Sequence, residues 1–305
     1  MTVRVGHIQF LNCYPLYHGL KRRGMWALAR GCGDRPGHSP SPTSESAGGT
    51  VPPHPEFELI PGVPTDLNRM LGAGDIDLGP ISSIAYARDH RRLLLSRRLS
   101  ISSFGAVDSI QVVTRGRLED VRNVALTQQS ATSVALLKTI LKLRLGVDAS
   151  YHDLEGSVAQ ALKAHDAVLL IGDQGLDALY FPEPGATCFD LGALWQEWTG
   201  LPMVYAVWAA REEFARTHEH ELLAVEEELA RCMDYGREHQ AEVVEGALER
   251  SRLDRPALAR YFGILHYDFP PVYQQGLRRF YELAHEAGEL TELPQLRFID
   301  EVVGA

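Results

Sequence analysis

The chain has 305 residues, 45% of them hydrophobic, enough for one large domain or two of ordinary size. Against 40 acidic residues stand 30 basic ones, and the resulting charge of −10 argues against a general binder of nucleic acid or of anionic membranes. Cys13, Cys32, Cys188 and Cys232 form no CxxC pair, which indicates neither a zinc site nor a disulfide framework and favours a reducing compartment.

The opening MTVRVGHIQF has no basic start followed by a long apolar run, so it does not read as a signal peptide. No stretch approaches the roughly 20 apolar residues of a membrane span, and the expectation is a soluble, cytoplasmic protein. VRVGHIQF (3–10), FELIPG (57–62) and DIDLGPI (75–81) read as strands, with a short Gly-closed helix over LNRMLGAG between the last two. Between the first two strands, residues 31–56 are rich in Gly, Pro and Ser and read as a mobile surface insertion. SIQVVTR (109–115) and NVALT (123–127) are further strands, and residues 130–146 form a helix with a Ser/Thr start and a Gly end. Next come a strand in ASYHDL, a helix over SVAQALKAH and a strand in AVLLIGD (167–173). MVYAVWAAR (203–211) precedes a tail with helical periodicity.

Alternation of this kind predicts an α/β protein of two units with parallel strands and right-handed crossovers. Residues 1–107 and 208–305 would form one domain, and 108–207 the other, with a ligand cleft between them. Open α/β sheets bind ligands beyond the carboxyl ends of their strands. The polar ends of the predicted strands therefore hold the candidate site residues.

Asn12, after the first strand, has two readings: a cap for the helix that Pro15 helps to start, or an amide that donates to a ligand beside helix-start N–H groups. Ser82 in PISS, the serines of SISSFGAVDS (100–109) and Thr132 and Ser133 in SATS repeat the theme of neutral donors at strand ends. Hydroxyls, amides and helix N-termini together suit a carboxylate ligand, each charge-assisted hydrogen bond contributing roughly 1.5–3 kcal/mol. Asp173 follows VLLIG and reads as a cap or turn residue, or as a group that orients a ligand hydroxyl. His7 is a buried histidine or a base. The His218–Glu221 run lacks HExxH spacing and reads as a solvated helix face, while Trp195, Trp198 and Trp208 read as packing. With no GxGxxG after a strand, no GxxxxGK[ST] and no GxSxG, the sequence implies neither dinucleotide, nucleoside triphosphate nor hydrolase elbow.

VGHIQFLNCYPLYHGL, LGAGDIDLGPISSIAYA, SISSFGAVDSIQVVTR, SATSVALLK, VLLIGDQGL and DLGALWQEWTGLPMVYAVWAAR occur in the order seen in chorismate dehydratases of the futalosine route to menaquinone, and the chain resembles that family over about residues 3–211. The resemblance implies a two-domain fold like that of type II periplasmic binding proteins. It also implies loss of water from chorismate, a small-molecule substrate, to give 3-[(1-carboxyvinyl)oxy]benzoate without a cofactor. By that resemblance Asn12 and Ser109 are the principal contacts to substrate carboxylates, with Ser82, Thr132 and Ser133 as further binding positions and Asp173 in a motif without an assigned role. The family often has Pro at the position of Ala106. The same fold serves 1,4-dihydroxy-6-naphthoate synthase of that pathway and non-catalytic small-carboxylate binding modules, which are the alternatives.

Overall fold

A computed structural model of the chain describes residues 2–23 and 55–302. Apart from its last two residues, the segment 31–56 lies outside the described residues. Among the described residues eleven strands form two sheets. The larger contains β1 (Val3–Ile8), β2 (Phe57–Gly62), β3 (Leu78–Ser82), β4 (Leu93–Ser103), β10 (Met203–Arg211) and β11 (Leu265–His266), in the order β11-β4-β10-β3-β1-β2. The smaller contains β5 (Ile110–Thr114), β6 (Asn123–Leu126), β7 (Ser150–Asp153), β8 (Ala167–Ile171) and β9 (Thr187–Asp190), in the order β7-β6-β8-β5-β9.

Helices connect the strands and make up most of the tail. In the first half they are α1 (Tyr14–Arg22), α2 (Pro64–Ala73), α3 (Ser83–Arg88), α4 (Ala131–Thr139) and α5 (Val158–Ala164). Then come α6 (Gly172–Tyr180), α7 (Leu191–Thr199), α8 (Glu212–Thr217) and α9 (Glu219–Glu238). The tail ends with α10 (Gln240–Leu248), α11 (Arg255–Ile264), α12 (Pro271–Ala287) and α13 (Ile299–Val302). The near-continuous apolar runs of β3, β8 and β10 are buried along their length, as expected of strands covered on both faces.

Three expectations change. Both sheets are mixed rather than parallel: β1 is parallel to β2 and β3, but β10 runs antiparallel to β3 and β4, and β5 antiparallel to β8 and β9. The boundary expected at 207/208 falls inside β10, which pairs with β3 and β4 along its length; the chain has rejoined the larger sheet by Met203. Residues 93–103, whose SISS end reads as a polar crossover, form an 11-residue strand. Two of its buried serines are satisfied by the tail: Ser100 Oγ donates to the Asp268 carbonyl (2.7 Å) and Ser102 Oγ to that of His266 (3.1 Å).

The smaller sheet meets α6 closely. At Gly175, in the first turns of α6, a Cβ would lie 2.2 Å from the Ser109 carbonyl oxygen, so only glycine lets the helix sit against the start of β5. Gly175→Ala is therefore expected to lower stability by about 1–3 kcal/mol, read as a reduced urea midpoint at unchanged slope.

Candidate functional site

Ser109 stands where the chain passes from the larger sheet to the smaller. Its backbone N–H donates to the Val107 carbonyl (2.6 Å) across a three-residue turn, with Asp108 at φ +57°, a conformation that Asp tolerates better than most residues. The Asp190 carboxylate, at the start of α7, holds this turn. It accepts from Val107 N (3.1 Å), Asp108 N (2.7 Å), Gln111 Nε2 (3.0 Å) and Ala193 N (3.0 Å). Burial pushes its pKa up, and the backbone N–H groups offset only part of that rise. Arg260, on α11, grips the Asp108 carboxylate with two bonds of 2.9 and 3.1 Å, and Tyr180 OH adds a third at 3.3 Å.

Opposite the turn lies the end of β1. The helix that Pro15 starts does not begin at Asn12. A single 3-10 turn, Leu11–Cys13, intervenes, α1 has Cys13 at its N-cap, and no side chain caps either helix start from its own N-cap position. The capping reading of Asn12 is thus not what the fold uses. Its Oδ1 is buried without a hydrogen-bond partner among the described residues. The same holds for Ser82 Oγ, although Ser82 immediately precedes α3 and is 2% exposed. The Ser82 backbone is fixed by its N–H donating to Asn68 Oδ1 (2.9 Å).

Asn12, Ser82, Ser109, Ser130 and Ser133 line one cavity with apolar walls from Ile8, Phe10, Ile101 and Tyr205, enclosing about 470 Å³ that includes space open to solvent. Small-molecule sites are concave and mostly apolar, with a few placed polar groups. The starts of α3, α4 and α6 reach the cavity through Ser82, Ser130 with Ser133, and Gly172, so the positive ends of three helices lie at its wall. No acidic, basic or imidazole side chain is among the lining residues.

Four of the expected site residues, Asn12, Ser82, Ser109 and Ser133, therefore meet in one place. Thr132 and Asp173 are not among the lining residues. Thr132 is fully buried and turned to the larger sheet: its Oγ1 accepts from Ile84 N (3.2 Å) and lies 3.2 Å from Ser83 Oγ. Asp173 is exposed, and its Oδ1 accepts from Leu11 N (3.1 Å); the surrounding protein raises its pKa, and the Leu11 N–H lowers it in part. His7 is buried away from the cavity, its Nδ1 bonded to Tyr17 OH and its ring edge-on to that of Tyr17 at 4.1 Å. Sequence reasoning missed Tyr205 as part of the cavity wall. Tyr205 sits in the apolar run MVYAVWAAR, and the signal was its lone hydroxyl there, which meets Ser103 Oγ at 3.0 Å. Ser130, read only as a cap, does accept from Ser133 N, and it also faces the cavity.

Among the described residues no helix is long and apolar enough to cross a membrane, and no cluster of side chains could hold a metal ion. Two mixed sheets with a donor-lined cavity between them define a periplasmic-binding-protein-like fold. The aliphatic sulphonate binding protein SsuA of Escherichia coli superposes with a TM-score of 0.62 at 13% identity, over 97% of this chain and 90% of that one. A Candida albicans protein with the generic periplasmic binding protein fold gives 0.67 at 12%, over 99% and 94%. A protein of Archaeoglobus fulgidus gives 0.71 at 19%, over 95% and 98%. Within this fold the chain belongs to the menaquinone biosynthesis family, whose model matches residues 3–286. It is 39% identical over 171 residues to the chorismate dehydratase of Thermus thermophilus, a stretch covering 52% of this chain and 62%, under two thirds, of that protein.

Burial lowers the His7 pKa to about 4 from 6.5. Between those values the unfolded chain binds a proton that the folded chain refuses, so stability should fall as pH drops from about 6.5 to 4 and level off below. The loss is on the order of 3 kcal/mol. Urea unfolding at pH 7 and pH 4.5 is expected to show this fall in the wild type and a smaller one in His7→Gln.

Proposed function

We propose that this chain is a chorismate dehydratase, a carbon–oxygen lyase that converts chorismate to 3-[(1-carboxyvinyl)oxy]benzoate and water. The observation that carries the reading is a cavity whose polar lining consists of neutral donors at helix starts, with no acid or base in its wall. Chorismate carries two carboxylates on a small ring. Asn12, Ser82, Ser109, Ser130 and Ser133 would hold them by charge-assisted hydrogen bonds, and Ile8, Phe10 and Ile101 would pack on the ring. The name of the Thermus thermophilus relative and the family membership support the same assignment.

The elimination removes a proton from the ring carbon that bears the enolpyruvyl ether and expels the neighbouring hydroxyl, and aromatisation drives it. With no protein base in the cavity wall, the enolpyruvyl carboxylate takes the ring proton and returns it to the departing hydroxyl, which leaves as water. The protein supplies orientation, stabilisation of the enolate-like charge and exclusion of water. His7 does not act as base: it is outside the cavity and bonded to Tyr17. We further propose that the two sheets with their helices act as two lobes that close on the substrate.

Purified protein mixed with chorismate alone is expected to give a product lighter by one water with aromatic absorbance, followed by chromatography and mass. Unchanged chorismate with folded protein would overturn the assignment, and tight binding without turnover would make the chain a binding module instead. Asn12→Ala and Ser109→Ala should each lower kcat/KM by about 10²-fold, as loss of a transition-state donor does, while His7→Gln keeps near-normal turnover. The kcat/KM profile should be flat from about pH 6 to 9, since no cavity side chain titrates there.

A further inference from the structure

The helix starts that present Asn12 and Ser82 are bonded by side chains from the far side of the cavity. The first N–H of the 3-10 turn, that of Leu11, donates to Asp173 in the first turn of α6 (3.1 Å), and α6 packs on the smaller sheet. The N–H of Ile84, in the first turn of α3, donates to Thr132 in the first turn of α4 (3.2 Å), which follows β6 of the smaller sheet. Helix starts ordinarily take this bond from their own N-cap residue, and Ser is among the best at it. Here Ser82 is at the N-cap of α3 and makes no such bond, and Asn12 caps nothing. Both side chains consequently keep a buried, unpartnered oxygen, and both line the cavity.

We propose that Thr132 and Asp173 are positioning residues: Thr132 takes over the capping of α3 from Ser82 and frees that hydroxyl for the substrate, while Asp173 caps the Leu11–Cys13 turn, whose own N-cap Phe10 has no side-chain acceptor, and so fixes Asn12 at the cavity. Each pairs one residue of the smaller sheet's side with one substrate-gripping residue of the larger sheet's side: Thr132 with Ser82, and Asp173 with Asn12. Without the cap from across the cavity, Ser82 Oγ would turn back to its own helix, as a serine at an N-cap normally does. Approach of the two sheets and readiness of the donors are thereby one event. Thr132 and Asp173 act on the reaction through Ser82 and Asn12, not by touching the substrate.

The inference rests on the dehydratase reading for its kinetic arm, and a second arm is independent of it. In the kinetic arm, Thr132→Val and Asp173→Ala are each expected to lower kcat/KM about tenfold, chiefly through kcat. Thr132→Ser and Asp173→Asn keep an accepting oxygen and should retain most activity. The decisive comparison is the double variant: Thr132→Val should cost little more in a Ser82→Ala background, and Asp173→Ala little more in Asn12→Ala. Additive losses would mean that Thr132 and Asp173 act independently of those donors, and would overturn the proposal. In the second arm, amide hydrogen exchange without any substrate should speed up at Ile84 in Thr132→Val and at Leu11 in Asp173→Ala, but not in the Ser and Asn variants. Unchanged exchange at both amides would overturn the proposal whether or not the wild type acts on chorismate; inert wild type with the expected exchange would overturn the dehydratase reading alone.

Discussion

The Asp190 carboxylate holds the chain where it leaves the larger sheet for the smaller, and the geometry of the cavity depends on that grip. Four donors converge on it, two of them the backbone N–H groups of Val107 and Asp108. Those bonds keep Asp108 at a positive φ, a state that costs on the order of 1–3 kcal/mol unless the surroundings impose it. The turn in turn fixes the direction of Ser109. From the other side, Gly175 lets α6 come up against the Ser109 backbone, and Arg260 ties the same turn to the helical tail. Strand, crossover and tail thus meet at one serine. The sequence distance between Asp190 and Ser109 hides this dependence completely.

A cavity built this way presents buried polar oxygens that no described residue of the chain pairs. Each buried polar oxygen without a partner forgoes about 1–3 kcal/mol of hydrogen bonding, and Asn12 and Ser82 each contribute one. A carboxylate ligand can accept from the Ser82 hydroxyl and the Asn12 amide N–H, while Asn12 Oδ1, which only accepts, would be matched by a ligand hydroxyl; helix starts add to the attraction without bringing an ionisable group into the site. Under the proposed function, that arrangement would let an acidic chain hold a dianion without a cationic cluster. It would also suit the proposed chemistry: a wall of neutral donors can orient and stabilise charge, but it cannot remove a proton from carbon.

Much of this was legible in the sequence, for identifiable reasons. Asn12, Ser82, Ser109 and Ser133 stand at the ends of short apolar runs, and strand ends are where such folds place ligands. FELIPG matches its strand to the residue. Strand direction was not legible, because an apolar run buried on both faces looks the same parallel or antiparallel. Nor was β4, whose Ser100 and Ser102 look solvent-loving until His266 and Asp268, more than 160 residues away, provide their acceptors. The roles of Thr132 and Asp173 were hidden for a related reason: their partners, Ile84 and Leu11, lie across the cavity. The insertion expected over 31–56 lies almost wholly outside the described residues.

In the proposed mechanism the substrate's own enolpyruvyl carboxylate is the base. The most direct measurement compares turnover of chorismate with that of an analogue whose enolpyruvyl carboxylate is converted to the primary amide, leaving the ring carboxylate and the hydroxyl intact. Binding of both ligands is measured in parallel by calorimetry. The account predicts that the amide analogue binds and is not dehydrated, while chorismate is turned over in the same assay. Dehydration of the bound analogue at a rate near that of chorismate would contradict it, and would require a base supplied by the protein.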